Sequence, residues 1–466
     1  MTPPKPVRRA ARVSFWRHLK LFREDILSSQ PERLFGAKMA EFRTPFFRSF
    51  LVNEPALWRT VLTERPEDFP KSDRVGEGLR PLLGRSIFVT NGEEWARQRR
   101  IIDPAFAGGR LKESFAPILA AAERAADGLS LGVQEIEEIT ARAAADVIFR
   151  ALFSVPIEDK AARAVFEAFR AYQRTQPILN LGAALTLPAW VPRGHRRSAK
   201  AAAAEIRSLI SSMCRARQAA IAAGTAPDDL ATKIMTTVDP ETGARFTADE
   251  MADQVAIFFL AGHETSASVL AWALYLLATH EDAQDRVAGE AARFMAAPSF
   301  ASLSDLPFTR DVFREALRLY PPVPMMVRSA TKVEHWRKRN VPVGSQIVIS
   351  PWHLQRHTDQ WADPDSFRPE RWAEAATKES QRNAYMPFSA GPRICPGAGF
   401  ALAEGVVMLA AILARFTLSP HGPAPRPVAH LTLRSAEGIY LALSHRNAAS
   451  PARRASEACL IAPDAP

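Results

Sequence analysis

Phe388-Ser389-Ala390-Gly391-Pro392-Arg393-Ile394-Cys395-Pro396-Gly397 is the stretch from which the rest of the chain can be read. A cysteine stands in a tight loop, with glycine on both sides and a cation two residues before it. The apolar, alanine-rich run that follows, Phe400 to Phe416, reads as a buried helix, and Pro396 suits its first position. Cys395 is therefore expected at a helix N-terminus, where the backbone dipole favours a thiolate over a thiol. Gly391 and Gly397 leave no side chain between the backbone and a flat ligand. Such a loop suits an axial thiolate on a haem iron, whose electron donation favours O–O cleavage.

These ten residues resemble the haem-binding loop of the cytochrome P-450 family, F-x-x-G-x-R-x-C-x-G, with Phe388, Gly391, Arg393, Cys395 and Gly397 at its fixed positions. A capping cysteine in a Gly/Pro turn is the ordinary fate of a lone Cys, and the full match weighs against it. Further motifs follow in the family's order. Trp95 and Arg99 match W-x-x-x-R, and their spacing sets both on one helix face. By the resemblance both donate to haem propionates. Ala261-Gly262-His263-Glu264-Thr265 matches A-G-x-[DE]-T. Gly262 would open a gap beside the helix for dioxygen, and Thr265 can turn its hydroxyl to a backbone carbonyl. Glu264 and Thr265 form an acid–alcohol pair suited to relaying protons, the expected catalytic residues.

A zinc-protease H-E-x-x-H would need histidine at 267, where Ala267 stands. His353 and His357 have that spacing, but Leu354 occupies the place of the base. Glu315 and Arg318 form an E-x-x-R, and Arg371 lies in Phe367-Arg368-Pro369-Glu370-Arg371-Trp372. The resemblance makes these three a buried structural triad, with Trp372 where the family usually has Phe. It also runs Val323 to Val327 into the pocket as an extended segment, lets Arg328 pair with a propionate, and has Phe388 shield the thiolate.

The 466 residues are 47% hydrophobic and 24% charged, ample material for a large core. Cys214, Cys395 and Cys459 are a sparse, odd set that argues for a reducing compartment without a disulfide framework. The net charge of +10 comes from scattered cations with no nucleic-acid motif beside them, so nucleic acid is not an expected partner. Residues 1–30 form a basic, Pro-rich segment without an apolar signal core or spanning helix. Phe15 to Leu19 could pack on the domain or touch a membrane surface. Residues 31–445 are expected to form one domain and 446–466 a flexible tail. Residues 72–91 read as a loop. Thr247 to Glu250 has capping-box spacing and opens a helix running to His280. That helix is apolar enough to span a membrane, yet His263 and Glu264 near its middle favour a core helix.

The resemblance implies a mainly α fold, the cytochrome P-450 fold, with a small β-region and haem b between the long central helix and the Cys-loop helix. It implies a monooxygenase inserting one atom of O2 into an apolar substrate, by hydroxylation or epoxidation, with fatty acids, terpenoids or carotenoid-like compounds as the expected class. Phe258, Ala261, Val323 and Met325 are candidate pocket residues, with Phe259 and Met326 beside them, under a roof from Ala171 to Arg197. Because the chain ends soon after the haem domain, electrons are expected from NAD(P)H through a separate ferredoxin or flavodoxin and its reductase. Arg97 and Arg100, one helical step off the propionate face, are candidates for docking it. The expected protein is a soluble, cytoplasmic monomer. A peroxygenase or haem-thiolate isomerase, against which the Glu264-Thr265 pair counts, and a non-catalytic haem sensor are the rival readings.

Overall fold

A computed structural model describes residues 2–6, 9, 13–43, 47–107, 109–175, 197–429 and 431–446. The longer helices are α1 (Phe15–Glu24), α2 (Asp73–Leu83), α3 (Gly92–Phe106), α4 (Phe115–Asp127), α5 (Ile136–Phe153), α6 (Lys160–Thr175), α7 (Arg197–Ala222), α8 (Ala248–Ala278), α9 (Glu281–Ala296), α10 (Pro307–Leu319) and α11 (Ala398–Leu413). The strands are β1 (Met39–Arg43), β2 (Arg48–Val52), β3 (Gly132–Glu135), β4 (Met326–Ser329), β5 (Glu334–Trp336), β6 (Arg339–Val341), β7 (Gln346–Ile349), β8 (Phe416–Pro420), β9 (Pro427–Ala429), β10 (Leu433–Ser435) and β11 (Tyr440–His445). The architecture is mainly helical, as the sequence implies.

α8 organises the molecule. Its start is fixed by a complete capping box: Thr247 accepts from the Glu250 amide, and the Glu250 carboxylate accepts from the Thr247 amide. Over 31 residues it is apolar nearly all round, so it can be stable only where other elements cover it. α5 packs along it, and 78% of its most apolar window is buried inside the protein. It is a core helix. α11 is equally apolar and lies against α4 and α9. Gly405 lets it approach α10 closely, since a Cβ there would stand 2.2 Å from the Phe313 ring.

The largest sheet has the order β1-β2-β7-β4. β2 runs parallel to β7, while β1 and β4 pair antiparallel with their neighbours. Its register puts Arg328 opposite Ile347, with Lys71 bridged to Arg328 at the outer edge. The sheet thus carries two cations to one place. The β9–β10 hairpin docks on α8, where Ser268 donates to the Leu433 carbonyl.

Three sequence expectations change. Residues 72–91 are not a continuous loop: Asp73–Leu83 is helical despite Pro81, and Gly84 ends it in the left-handed region at φ 51°. α11 begins at Ala398 rather than at Pro396. The Pro-rich N-terminus is not set apart from the domain, because Pro3 and Pro6 are buried, Lys5 pairs with Asp365, and the Tyr320 hydroxyl donates to the Pro4 carbonyl. The expected tail from 447 and most of the expected roof, 176–196, lie outside the described residues.

Candidate active site: a cysteine loop ringed by cations

The loop around Cys395 is held from both sides. Its amide donates to the Phe388 carbonyl at 3.0 Å, closing the turn that carries the sulfur. Gly391 has φ 68°, and a Cβ there would collide with the Leu62 carbonyl oxygen at 1.8 Å, so only glycine fits. At Gly397 an added Cβ would sit 3.9 Å from the Cys395 sulfur, and the Gly397 amide donates to that sulfur. Burial pushes the Cys395 thiol above its ordinary range, against the Gly397 amide and the charges of Arg99 and Lys71. The Gly397 amide, Arg99 and Lys71 favour the thiolate without outweighing burial. A metal would, because a coordinating thiol is deprotonated outright.

Lys71, Arg99, Arg328 and Arg393 gather beside this loop. The Lys71 ammonium donates to the Phe88 carbonyl at 2.8 Å and lies over the Phe88 ring. Burial and the charges of Arg328, Arg393 and Arg99 drive it well below the usual lysine range. Burial lowers Arg328 to about 10. Burial, with Arg328 and Arg99 nearby, lowers Arg393 to about 9. The hydrogen bonds of Lys71, Arg328 and Arg393 go to neutral oxygens: Phe88 O, Val327 O, Thr90 O and Asn91 Oδ1. Among the described residues only Arg99 of these four reaches a carboxylate, Asp103 at 2.8 Å, and it also donates to Ile394 O, next to the cysteine. A group of buried and half-buried cations with so little negative charge among the described residues suits a dianion.

Haem b fits this set, with sulfur for the iron and cations for two propionates. Arg99, Arg328 and Arg393, all expected near the cofactor, stand close to one another. Lys71 was missed, for no motif marks it and only the sheet edge delivers it. The Arg393 guanidinium lies over the Trp95 ring at 4.1 Å, so Trp95 also orients a cation.

On α8, Thr265 donates its hydroxyl to the Ala261 carbonyl at 2.6 Å, as expected. Ala261 is exposed in the middle of a helix buried on both sides of it. Gly262 does not open a gap, since a Cβ there would meet Ile148 of α5 at 2.4 Å; its role is close packing. Glu264 is held by partners outside α8. Its buried carboxylate accepts from Thr432 and pairs with Arg434 of the β9–β10 hairpin.

Of the candidate pocket residues, Phe258 sets its ring edge-on to Phe106, while Val323 and Met325 are half-buried. Phe259 belongs to the core, stacked on His263 and packed against Phe149 and Phe169. Arg97 pairs with Glu250, and Arg100 with Asp239, Glu93 and Glu241, so both are neutralised within the chain and do not form a bare basic surface.

The Glu315 triad is as expected. Arg318 grips Glu315 through two bonds of 2.8 and 2.9 Å, Arg371 adds one of 3.0 Å, and all three are buried. Both guanidinium groups also donate to carbonyls between Gln355 and Ser366. His353 is a buried histidine bonded to Ser350, and no cluster of His, Cys, Asp and Glu able to hold a metal occurs among the described residues.

The family model for cytochrome P450 matches residues 19–442. Cyclooctat-9-en-7-ol 5-monooxygenase from Streptomyces melanosporofaciens is 34% identical over 82% of this chain and 83% of its own length. Echinocystic acid 23-monooxygenase from Saponaria officinalis is 32% identical, covering 80% and 76%. Among solved structures, a cytochrome P450DA heme domain superposes with a TM-score of 0.79 at 22% identity, over 96% of this chain and 98% of that one. With a sulfur loop, a cation ring and the buried triad in these positions, the chain belongs to the cytochrome P450 family, whose members are haem-dependent monooxygenases.

Proposed function

We propose that this monooxygenase inserts one oxygen atom into an apolar, terpenoid-like substrate, with electrons passed from NAD(P)H by a separate ferredoxin or flavodoxin and its reductase. The cation ring around Cys395 is the observation that carries the catalytic reading, because it complements a bound dianionic cofactor. The substrate class rests on the names of the two relatives above, one acting on cyclooctat-9-en-7-ol and the other on echinocystic acid.

When bound, a thiolate-ligated haem supplies dioxygen activation. The chain's own residues do the rest. Cys395 gives sulfur to the iron, with Phe388 and the Gly397 amide closing around it. Lys71, Arg99, Arg328 and Arg393 hold the propionates, and Trp95 orients Arg393. Thr265 holds a proton-bearing hydroxyl on α8, and Glu264 is the acid that replenishes it. Ala261, Val323 and Met325 present apolar surface to the substrate.

Cys395→Ala is the test. The variant is expected to lose the reduced-CO spectrum of a thiolate-ligated haem, and retention of that spectrum would end the proposal. Product formed with O2 plus a reductase system, with peroxide alone, or with neither separates monooxygenase, peroxygenase and sensor. Spin-state titration with terpenoid, carotenoid and fatty-acid panels reads the substrate class.

A further inference from the structure

Asn91 stands just before α3, at the position where an asparagine ordinarily caps a helix. It makes no side-chain cap there. Its carboxamide turns instead to two distant segments. Oδ1 accepts from the Lys71 amide at 3.0 Å and from the Arg393 guanidinium at 2.9 Å, and Nδ2 donates to the Lys71 carbonyl at 3.1 Å. The orientation of the amide follows from these partners, since a carbonyl needs the nitrogen and two donors need the oxygen.

By exchanging both bonds with one residue, the side chain pairs with Lys71 as a neighbouring strand would. The flanks of Lys71 are already tied to β4, through Ser329 N to Pro70 O and Ser72 N to Val327 O. Asn91 thus closes the second side of a one-residue extension of the sheet. Its own platform is rigid: the Thr90 hydroxyl donates to Gln98 of α3 at 2.7 Å, and Thr90 O accepts from Arg393 at 3.2 Å. Lys71 and Arg393 repel each other, so left alone they would move apart. A carboxylate between them would hold them and cancel their charge. A neutral amide holds them and leaves that charge for a ligand.

We propose that Asn91 is the positioning residue of the cation ring, a neutral clamp that fixes the backbone of Lys71 and the guanidinium of Arg393 so that both face the haem propionates. This rests on the monooxygenase reading above. Asn91 touches neither the cofactor nor the substrate. It acts through the two cations, and through Arg393 it also sets the charge that lies over the Trp95 ring. Loss of the clamp therefore weakens the hold on the propionates and removes positive charge from beside the haem, which disfavours reduction.

The experiment uses the full chain loaded either with haem b or with haem b dimethyl ester, whose propionates carry no charge. Asn91→Ala and Asn91→Asp are expected to keep the thiolate-type CO spectrum and to release haem b severalfold faster than wild type. The aspartate keeps both accepted bonds, so its effect reads the charge it adds rather than a lost brace. With the dimethyl ester, both variants should release the cofactor at the wild-type rate. In redox titrations with haem b, Asn91→Ala should lower the reduction potential, and adding it to Arg393→Gln should lower the potential much less than it does alone.

Haem b released by Asn91→Asp at the wild-type rate would overturn the clamp, because a plain backbone brace survives that change. So would equal acceleration with haem b and with its ester, the mark of a loosened fold, or full additivity of Asn91→Ala with Arg393→Gln in the potential. A wild type that takes up no haem, or shows no thiolate spectrum, would instead sink the monooxygenase reading.

Discussion

Lys71→Met separates a cofactor-binding role from a structural one, because the two predict opposite signs. Methionine keeps most of the stem that packs over the Phe88 ring and removes only the charge and one bond of 2.8 Å to Phe88 O. In the haem-free protein that charge is unwelcome: burial, Arg328, Arg393 and Arg99 all act against it. Removing an uncompensated buried charge is worth on the order of 1–3 kcal/mol, so the haem-free variant should melt higher than wild type. With haem bound, the ammonium faces a propionate, and losing one charge-assisted hydrogen bond costs about 1.5–3 kcal/mol. That is roughly a 10- to 100-fold faster loss of haem, since about 1.4 kcal/mol is a factor of ten. The assays are thermal melting of the haem-free protein and haem transfer to excess apomyoglobin. A variant that melts lower without haem, yet releases haem at the wild-type rate, would show that Lys71 only braces the sheet edge.

Three further outcomes follow from the same geometry. Thr265→Ala loses the hydroxyl bonded to Ala261 O and should still consume NAD(P)H while diverting oxygen to peroxide; coupling equal to wild type would remove Thr265 from the proton path. Glu315→Gln leaves two buried guanidinium groups without their counter-charge, a loss of about 3–5 kcal/mol, and both melting temperature and haem retention should fall; unchanged melting would mean that the carbonyl bonds suffice. Glu404 is buried on α11 beside Ser266, and burial pushes it up to about 8. The folded state then keeps a proton that the unfolded chain has released, so stability should fall as pH rises from about 4.5 toward 8. Glu404→Gln should flatten that slope, and melting curves across the range would read it.

What could be read in the sequence was local. The Cys395 loop needs glycine at 391 for a backbone angle, and that need and the sulfur belong to the same ten consecutive residues. The α8 capping box, and the choice of core over membrane, likewise lie within one helix. Misreadings arose where a neighbour decides. Pro81 suggested a loop, yet it stands in the last turn of α2, and the Leu82–Leu83 end that follows is buried well enough to sustain it. Gly262 was read as open space because its partner, Ile148, lies over a hundred residues away.

Electrostatics were the least legible, and α3 shows why. Arg97, Arg99 and Arg100 stand within four residues of one another. Two of them meet carboxylates brought by the approach to α8, Glu250 at its start and Asp239 just before it. The third turns toward the cysteine loop and reaches Ile394 O. No property of an arginine in a string of letters separates these fates; the helical phase and the facing element do. Glu264 follows the same logic. Beside Thr265 in sequence it looks like half of a proton relay, but the hairpin docked on α8 supplies Thr432 and Arg434, and the carboxylate answers to them.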